Sequence, residues 1–221
     1  MSHFTDSKSA QDLLQGPFLF LNPWVKKPFL HQDFIRTLGS SYKENAYEFL
    51  FYHLVKSLKL KSIVEIGVLE GFSLLSMAQA LKDLGGGEIV GHDLFEDYQY
   101  RHERMENVKK RIEQLELNQF CRIKRADAFS VVQNYSSIDL LHVDISNNGE
   151  TIETLFHQWQ KKVNKVMVFE GGGADRDQVE WMIKYNKPKI RPVLEKLAKS
   201  QNDFAIYVWD AYPSLTIFLK K

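Results

Sequence analysis

The sequence predicts an α/β domain, a mostly parallel sheet with helices on both faces. Three observations carry this. Short β-branched runs alternate with helical stretches through the centre of the chain. The first of those runs passes through a tight glycine-containing loop straight into a helix. The last two runs are joined by a turn so short that the strands must be antiparallel.

The elements follow in order. Residues 1–40 form an arm of different texture, with three of the six prolines, Pro17, Pro23 and Pro28, among Phe18, Phe20, Trp24, Phe29 and Phe34. Prolines this close break regular structure, while that much aromatic surface calls for burial. The arm is expected to pack on the main domain, lid a pocket or contact another subunit. Ser41-Tyr42-Lys43-Glu44 reads as a capping box opening a helix that ends near residues 59–61. Its apolar residues Ala46, Phe49, Leu50, Leu54 and Leu58 recur at helical spacing. Strands are expected at 62–66, 88–93, 122–126, 138–143 and 165–170. The helices between them are expected at 72–84, 103–117 and 151–163. Gly85-Gly86-Gly87 stops the first of these. Two further helices, 175–185 and 191–199, precede closing strands at 204–209 and 214–219. The domain proper is therefore read as 41–221.

Composition narrows the function. The chain has 221 residues and a net charge of +1, from 29 Lys+Arg against 28 Asp+Glu. That balance argues against an electrostatic nucleic-acid or anionic-membrane binder. A single cysteine, Cys121, excludes an internal disulfide and a multi-cysteine zinc site. No apolar run reaches the roughly 18–20 residues that cross a bilayer, and the N-terminus lacks the pattern of a signal peptide. The expected location is the cytoplasm.

In open α/β sheets, ligands bind at the carboxyl ends of the strands, where the strand order reverses. The first strand runs into Glu65-Ile66-Gly67-Val68-Leu69-Glu70-Gly71-Phe72-Ser73. This E-x-G-x-x-x-G-x-S pattern lets backbone approach a ligand and offers free N–H groups at a helix start. It is neither the G-x-G-x-x-G of dinucleotide enzymes nor a P-loop. The plainer reading is a turn that needs glycine. Asp93 ends the second strand, 22 residues after Gly71, where a carboxylate can accept from both hydroxyls of a ribose. Asp127 and Ala128 follow the third strand, and Asp144 the fourth.

This ordered set, Glu65-x-Gly67-x-x-x-Gly71 with Asp93, Asp127 and Asp144 closing successive strands, resembles the class I S-adenosylmethionine-dependent methyltransferases. The stretch 138–146, Ile-Asp-Leu-Leu-His-Val-Asp-Ile-Ser, followed by the helix with Trp159, is similar to the small-molecule O-methyltransferase branch (cephalosporin-biosynthesis, macrolide-sugar and catechol types). The resemblance covers residues 40–221. It implies a Rossmann-like seven-stranded sheet, six strands parallel and one antiparallel, in the order 3-2-1-4-5-7-6. It also implies S-adenosylmethionine as cofactor and a small-molecule acceptor such as a sugar or secondary metabolite. Glu65 would face the methionine amino group, and Gly67 and Gly71 would flank the methionine, with Ser73 at the helix start. Asp93 would hold the ribose, and Asp127 and the Ala128 N–H would face the adenine. Glu65 and Asp144 would bring negative charge towards the sulfonium.

Asp144 and Glu170 end neighbouring strands, so they are the candidate catalytic pair and the candidate ligands of a Mg²⁺ ion. The metal-dependent relatives carry a second acidic residue or Asn after the fifth strand. Here Glu170 is followed by three glycines, and Asp175, Asn147 or Asn148 would have to substitute. The rival readings make Asp144 a general base and Glu170 a helix cap. His142 reads as a satisfied core histidine, His92 as a neighbour of the cofactor and His157 as surface. In the loop 171–177, Asp175 either caps a helix, or the glycines make room for a substrate whose anionic group Arg176 reaches. Two other functions stay open, a non-catalytic methyltransferase-like subunit and a nicotinamide oxidoreductase, though the glycine spacing speaks against the second. The aromatic arm points to a homodimer.

Overall fold

The computed structural model describes residues 28–221. The prolines and aromatics of the arm before residue 28 lie outside the described residues. Seven strands form one sheet: β1 (Ser62–Ile66), β2 (Glu88–Asp93), β3 (Cys121–Arg125), β4 (Ile138–Val143), β5 (Val163–Glu170), β6 (Phe204–Trp209) and β7 (Leu215–Lys220). Their order is β3-β2-β1-β4-β5-β7-β6. β7 is antiparallel to both β5 and β6, and the other pairings are parallel. The central strands are buried on both faces, which is why they read as continuous Val/Ile/Leu runs rather than alternating ones.

Two apolar cores lie on the two faces. One packs α2 (Tyr47–Leu58), α3 (Phe72–Asp83) and α4 (Met105–Gln114) through residues such as Phe51, Leu54, Leu74, Met77 and Val108. The other packs α5 (Gly149–Trp159) and α7 (Ile190–Ser200) through Phe156, Trp159, Ile190 and Leu194. α1 (Gln32–Thr37) joins the first core by burying Ile35. Phe29 stacks on Tyr52 with ring centroids 4.2 Å apart. The described end of the arm therefore packs on the domain.

Two expected helices come out differently. Ser41 does not cap a helix. Ser40 accepts from the Tyr42 N–H and opens a 3₁₀ turn, Ser41–Asn45. Ala46 then takes a left-handed conformation at φ 54° before α2 begins at Tyr47. Burial of Tyr42 against Phe51 and Tyr47 overrides the local capping signal. The helix expected over 175–185 is also broken. It becomes a 3₁₀ turn, Arg176–Gln178, an extended Val179 and a short α6 (Glu180–Lys184). Asp175 makes no side-chain cap. Asp177 turns away to cap α7, its two carboxylate oxygens accepting from Ile190 N (2.6 Å) and Arg191 N (3.0 Å).

Candidate active site

The strand order reverses between β1 and β4, whose C-terminal ends lie side by side. A cavity of about 1140 Å³ opens there. Gly67, Ser73, Asp93, Asp127, Ala128 and Asp144 line it, whereas Gly71 is not part of the lining. The residues nominated one per strand end thus converge on one space.

Gly67 sits at φ +90°, and a Cβ there would lie 1.9 Å from the Asp144 carbonyl oxygen. Glycine is needed so that the β1 loop can pass under the end of β4. Gly71, at φ +92°, turns the chain into α3. Asp93 fixes the loop between them. One carboxylate oxygen accepts from Val68 N (2.7 Å) and Leu69 N (3.1 Å), the other from Phe95 N (2.8 Å). A carboxylate offers about four lone-pair directions, so one remains for a ligand. Asp127 accepts from Phe129 N at 3.0 Å, which turns the chain after β3.

Glu65 lies behind this wall and is not part of the cavity lining. It is fully buried, and one carboxylate oxygen meets both Ser73 Oγ (2.5 Å) and His142 Nδ1 (2.8 Å). Burial pushes its carboxyl up, and the His142 and Ser73 bonds oppose that. His142 is itself fully buried, and its Nε2 lies 3.4 Å from the Tyr42 hydroxyl. It is the satisfied core histidine that the sequence indicated. His157 is exposed, as read, and His92 lines the cavity.

Tyr42 brings a hydroxyl to the cavity that the sequence did not flag. Burial, helped by the charge of Asp144, raises its own pKa well above the ordinary tyrosine value. Asp144 is raised by burial, while His142, the neighbouring Tyr42 hydroxyl and Arg176 hold it down. It is a carboxylate of strengthened basicity beside an open space, which is what a general base needs. Tyr98 also lines the cavity, and its hydroxyl lies 3.1 Å from Ser146 Oγ, joining the loop after β2 to the loop after β4. The aromatic and basic run Tyr98-x-Tyr100-Arg101-His102, in an otherwise polar loop after a strand end, was the available signal.

Glu170 is committed elsewhere. Arg176 Nε donates to one of its oxygens at 2.8 Å and Nη2 to the other at 3.1 Å, while Nη2 also donates to the Asn147 carbonyl at 3.0 Å. Burial still pushes Glu170 up, to about 7. The Mg²⁺ reading of Asp144 and Glu170 is therefore corrected. A guanidinium occupies the position beside Glu170 that a divalent cation would take, and it brings its own positive charge. Among the described residues no group of three or more His, Cys, Asp or Glu side chains is arranged to hold a metal. Asp175, Asn147 and Asn148 do not make good the missing ligand. Asn147 donates to Val143 O and Glu170 O, and Asn148 caps α5. Among the described residues, no helix is long and apolar enough to cross a membrane.

Residues 64–169 match a family described as a methyltransferase domain. A comparison with curated proteins finds no match. Among solved structures, the chain is similar to the S-adenosylhomocysteine-bound methyltransferase PaMTH1 of Podospora anserina (12% identity, 100% of this chain and 99% of that one, TM-score 0.65). It is similar to the O-methyltransferase TomG of Streptomyces achromogenes, involved in tomaymycin synthesis and solved with S-adenosylmethionine (16%, 92% and 95%, 0.65). An O-methyltransferase of Bacillus cereus in complex with S-adenosylhomocysteine aligns as well (16%, 99% and 93%, 0.60). At these identities the likeness is one of fold.

Proposed function

We propose that the chain, whose residues 64–169 match a methyltransferase-domain family, is an S-adenosylmethionine-dependent methyltransferase that methylates an oxygen of a small molecule. The observation that carries this reading is the convergence of Gly67, Asp93, Asp127 and Asp144 on one cavity at the switch point of the sheet. Near-neutral charge favours a small acceptor over nucleic acid.

S-adenosylmethionine supplies an electrophilic methyl group on a sulfonium. The protein's share is alignment and proton removal. Asp93 pins the loop 67–71 through the Val68 and Leu69 N–H groups. Asp93 keeps a free lone pair for a ribose hydroxyl, and Asp127 with the Ala128 N–H faces the adenine side. Asp144 takes the acceptor's hydroxyl proton as the oxygen attacks. Tyr42 lines the cavity beside it. Glu170 positions Arg176 and takes no proton from the acceptor.

The test is calorimetric titration of the full chain with S-adenosylhomocysteine. Micromolar binding that Asp93→Ala weakens at least tenfold is expected. No binding to the wild-type chain would remove the reading. Binding without product across an acceptor panel would favour a non-catalytic subunit.

A further inference from the structure

Arg176 is 6% exposed and lines the cavity. Three hydrogen bonds, to both oxygens of Glu170 and to Asn147 O, fix the plane of its guanidinium. Its Nη1 has no hydrogen-bond partner among the described residues. A buried charged donor left unpaired is costly, and each such group calls for an explanation. The Trp181 ring lies across the guanidinium, 5.1 Å from Cζ to the ring centroid. Trp181, Tyr185 and Lys187 line the same cavity.

The topology separates this corner from the cofactor side. Asp127 follows β3 and Glu170 ends β5, and in the order β3-β2-β1-β4-β5 they stand four strand spacings apart, roughly 19 Å at about 4.8 Å each. The side over β2 and β3 carries Asp93 and Asp127 together with Tyr98, Tyr100, Arg101 and His102. The side over β5 is cationic and aromatic, with Arg176, Trp181, Tyr185 and Lys187. Asp144, at the end of β4, stands between them and feels the charge of Arg176.

We propose that Arg176 and Trp181 form the acceptor subsite and that the acceptor is a hydroxylated aromatic carboxylate; this rests on the methyl-transfer reading above. A carboxylate is the complement of a guanidinium edge with a free N–H. Lys187 supplies a second positive charge, and Trp181 and Tyr185 offer ring faces to an aromatic body. Anchoring the carboxylate on β5 brings a ring hydroxyl towards Asp144 on the adjacent strand. The hydroxyl oxygen then forms the new bond to the methyl carbon as the carbon–sulfur bond breaks. The bonding pair stays on sulfur and the hydroxyl proton passes to Asp144. The carboxylate oxygens, held by Arg176, are not methylated.

The experiment titrates the full chain, saturated with S-adenosylhomocysteine, with the three isomeric hydroxybenzoates and with the matching neutral hydroxybenzamides. At least one hydroxybenzoate is expected to bind at least tenfold tighter than its amide. In Arg176→Gln that ratio should fall to about one while S-adenosylhomocysteine affinity stays within about threefold. Trp181→Leu should weaken acid and amide together and keep their ratio, which holds the test open if Arg176→Gln fails to fold. Equal binding of acid and amide, or no hydroxybenzoate binding by the loaded chain, overturns the subsite and leaves the methyl-transfer reading standing. Absence of S-adenosylhomocysteine binding overturns both.

Discussion

Glu65 and His142 stand opposite each other on β1 and β4 and form a fully buried pair, with His142 Nδ1 2.8 Å from Glu65 Oε1. The pair ties together the two strands at whose ends the cavity opens. Removing the imidazole would strand a buried carboxyl with Ser73 as its remaining partner. Breaking a buried pair from one side costs about 3–5 kcal/mol. His142→Ala is expected to lose about that much in urea unfolding. Glu65→Gln, which keeps a polar partner for the ring, should lose less. A loss below about 1 kcal/mol in His142→Ala would show that the pair does not support the sheet.

Asp93 carries two tasks at once, since the backbone N–H groups of Val68, Leu69 and Phe95 all end on its carboxylate. Hydrogen bonds to a charged acceptor contribute about 1.5–3 kcal/mol each. Asp93→Ala should therefore loosen the loop and lower the unfolding midpoint as well as S-adenosylhomocysteine affinity. Asp93→Asn keeps one acceptor oxygen and should fall between. Hydrogen exchange at Val68 and Leu69 reads the loop directly. Unchanged protection there in Asp93→Ala would contradict the pinning.

The strands were legible in the sequence because a sheet buried on both faces leaves continuous β-branched runs, and β1, β2, β4 and β6 fall at the expected residues. The strand-end acids were legible because topology sends every parallel strand end to one edge. Tyr42 was not, because a tertiary contact with Phe51 and Tyr47 decides its 3₁₀ turn, against a local S-x-x-E signal. The orientation of Glu65 was not, because its partner His142 is 77 residues away. Arg176 is legible as a side chain for an anionic substrate group, but its grip on Glu170 is not, because Arg176 sits in a 3₁₀ turn cut from α6 by the extended Val179 while Asp177 caps α7.

The Arg176–Glu170 bond makes a prediction about metal removal. With a guanidinium on both oxygens of Glu170, methyl transfer should be unchanged after dialysis against a chelator. Mg²⁺ titrated into the full chain should give no saturable heat. A more than tenfold fall in rate after dialysis, restored by Mg²⁺, would overturn the assignment of Glu170 to Arg176.

Asp144→Asn keeps the size of the side chain but cannot take a proton. General base catalysis contributes about 10²–10⁴-fold. The turnover rate should fall within that range, while S-adenosylhomocysteine affinity should change only a few-fold. A variant that turns over at the wild-type rate would remove Asp144 from the chemistry and leave it a positioning group.

His92 supplies the pH dependence that can be signed most clearly. It is buried, its Nε2 lies 2.7 Å from the Tyr135 hydroxyl, and its Nδ1 has no partner among the described residues. Burial, helped by the charge of Lys124, pushes its pKa down to about 4. In the unfolded chain it titrates near 6.5. Between those values the unfolded state holds the extra proton, so stability rises with pH through that window. His92 therefore contributes fully above about pH 6.5, and its contribution is lost as the pH falls towards 4. Thermal midpoints measured from pH 8 to pH 4 should drop more steeply for the wild type than for His92→Gln, which cannot titrate. Parallel curves would show that His92 is protonated in the folded protein as readily as in the unfolded one.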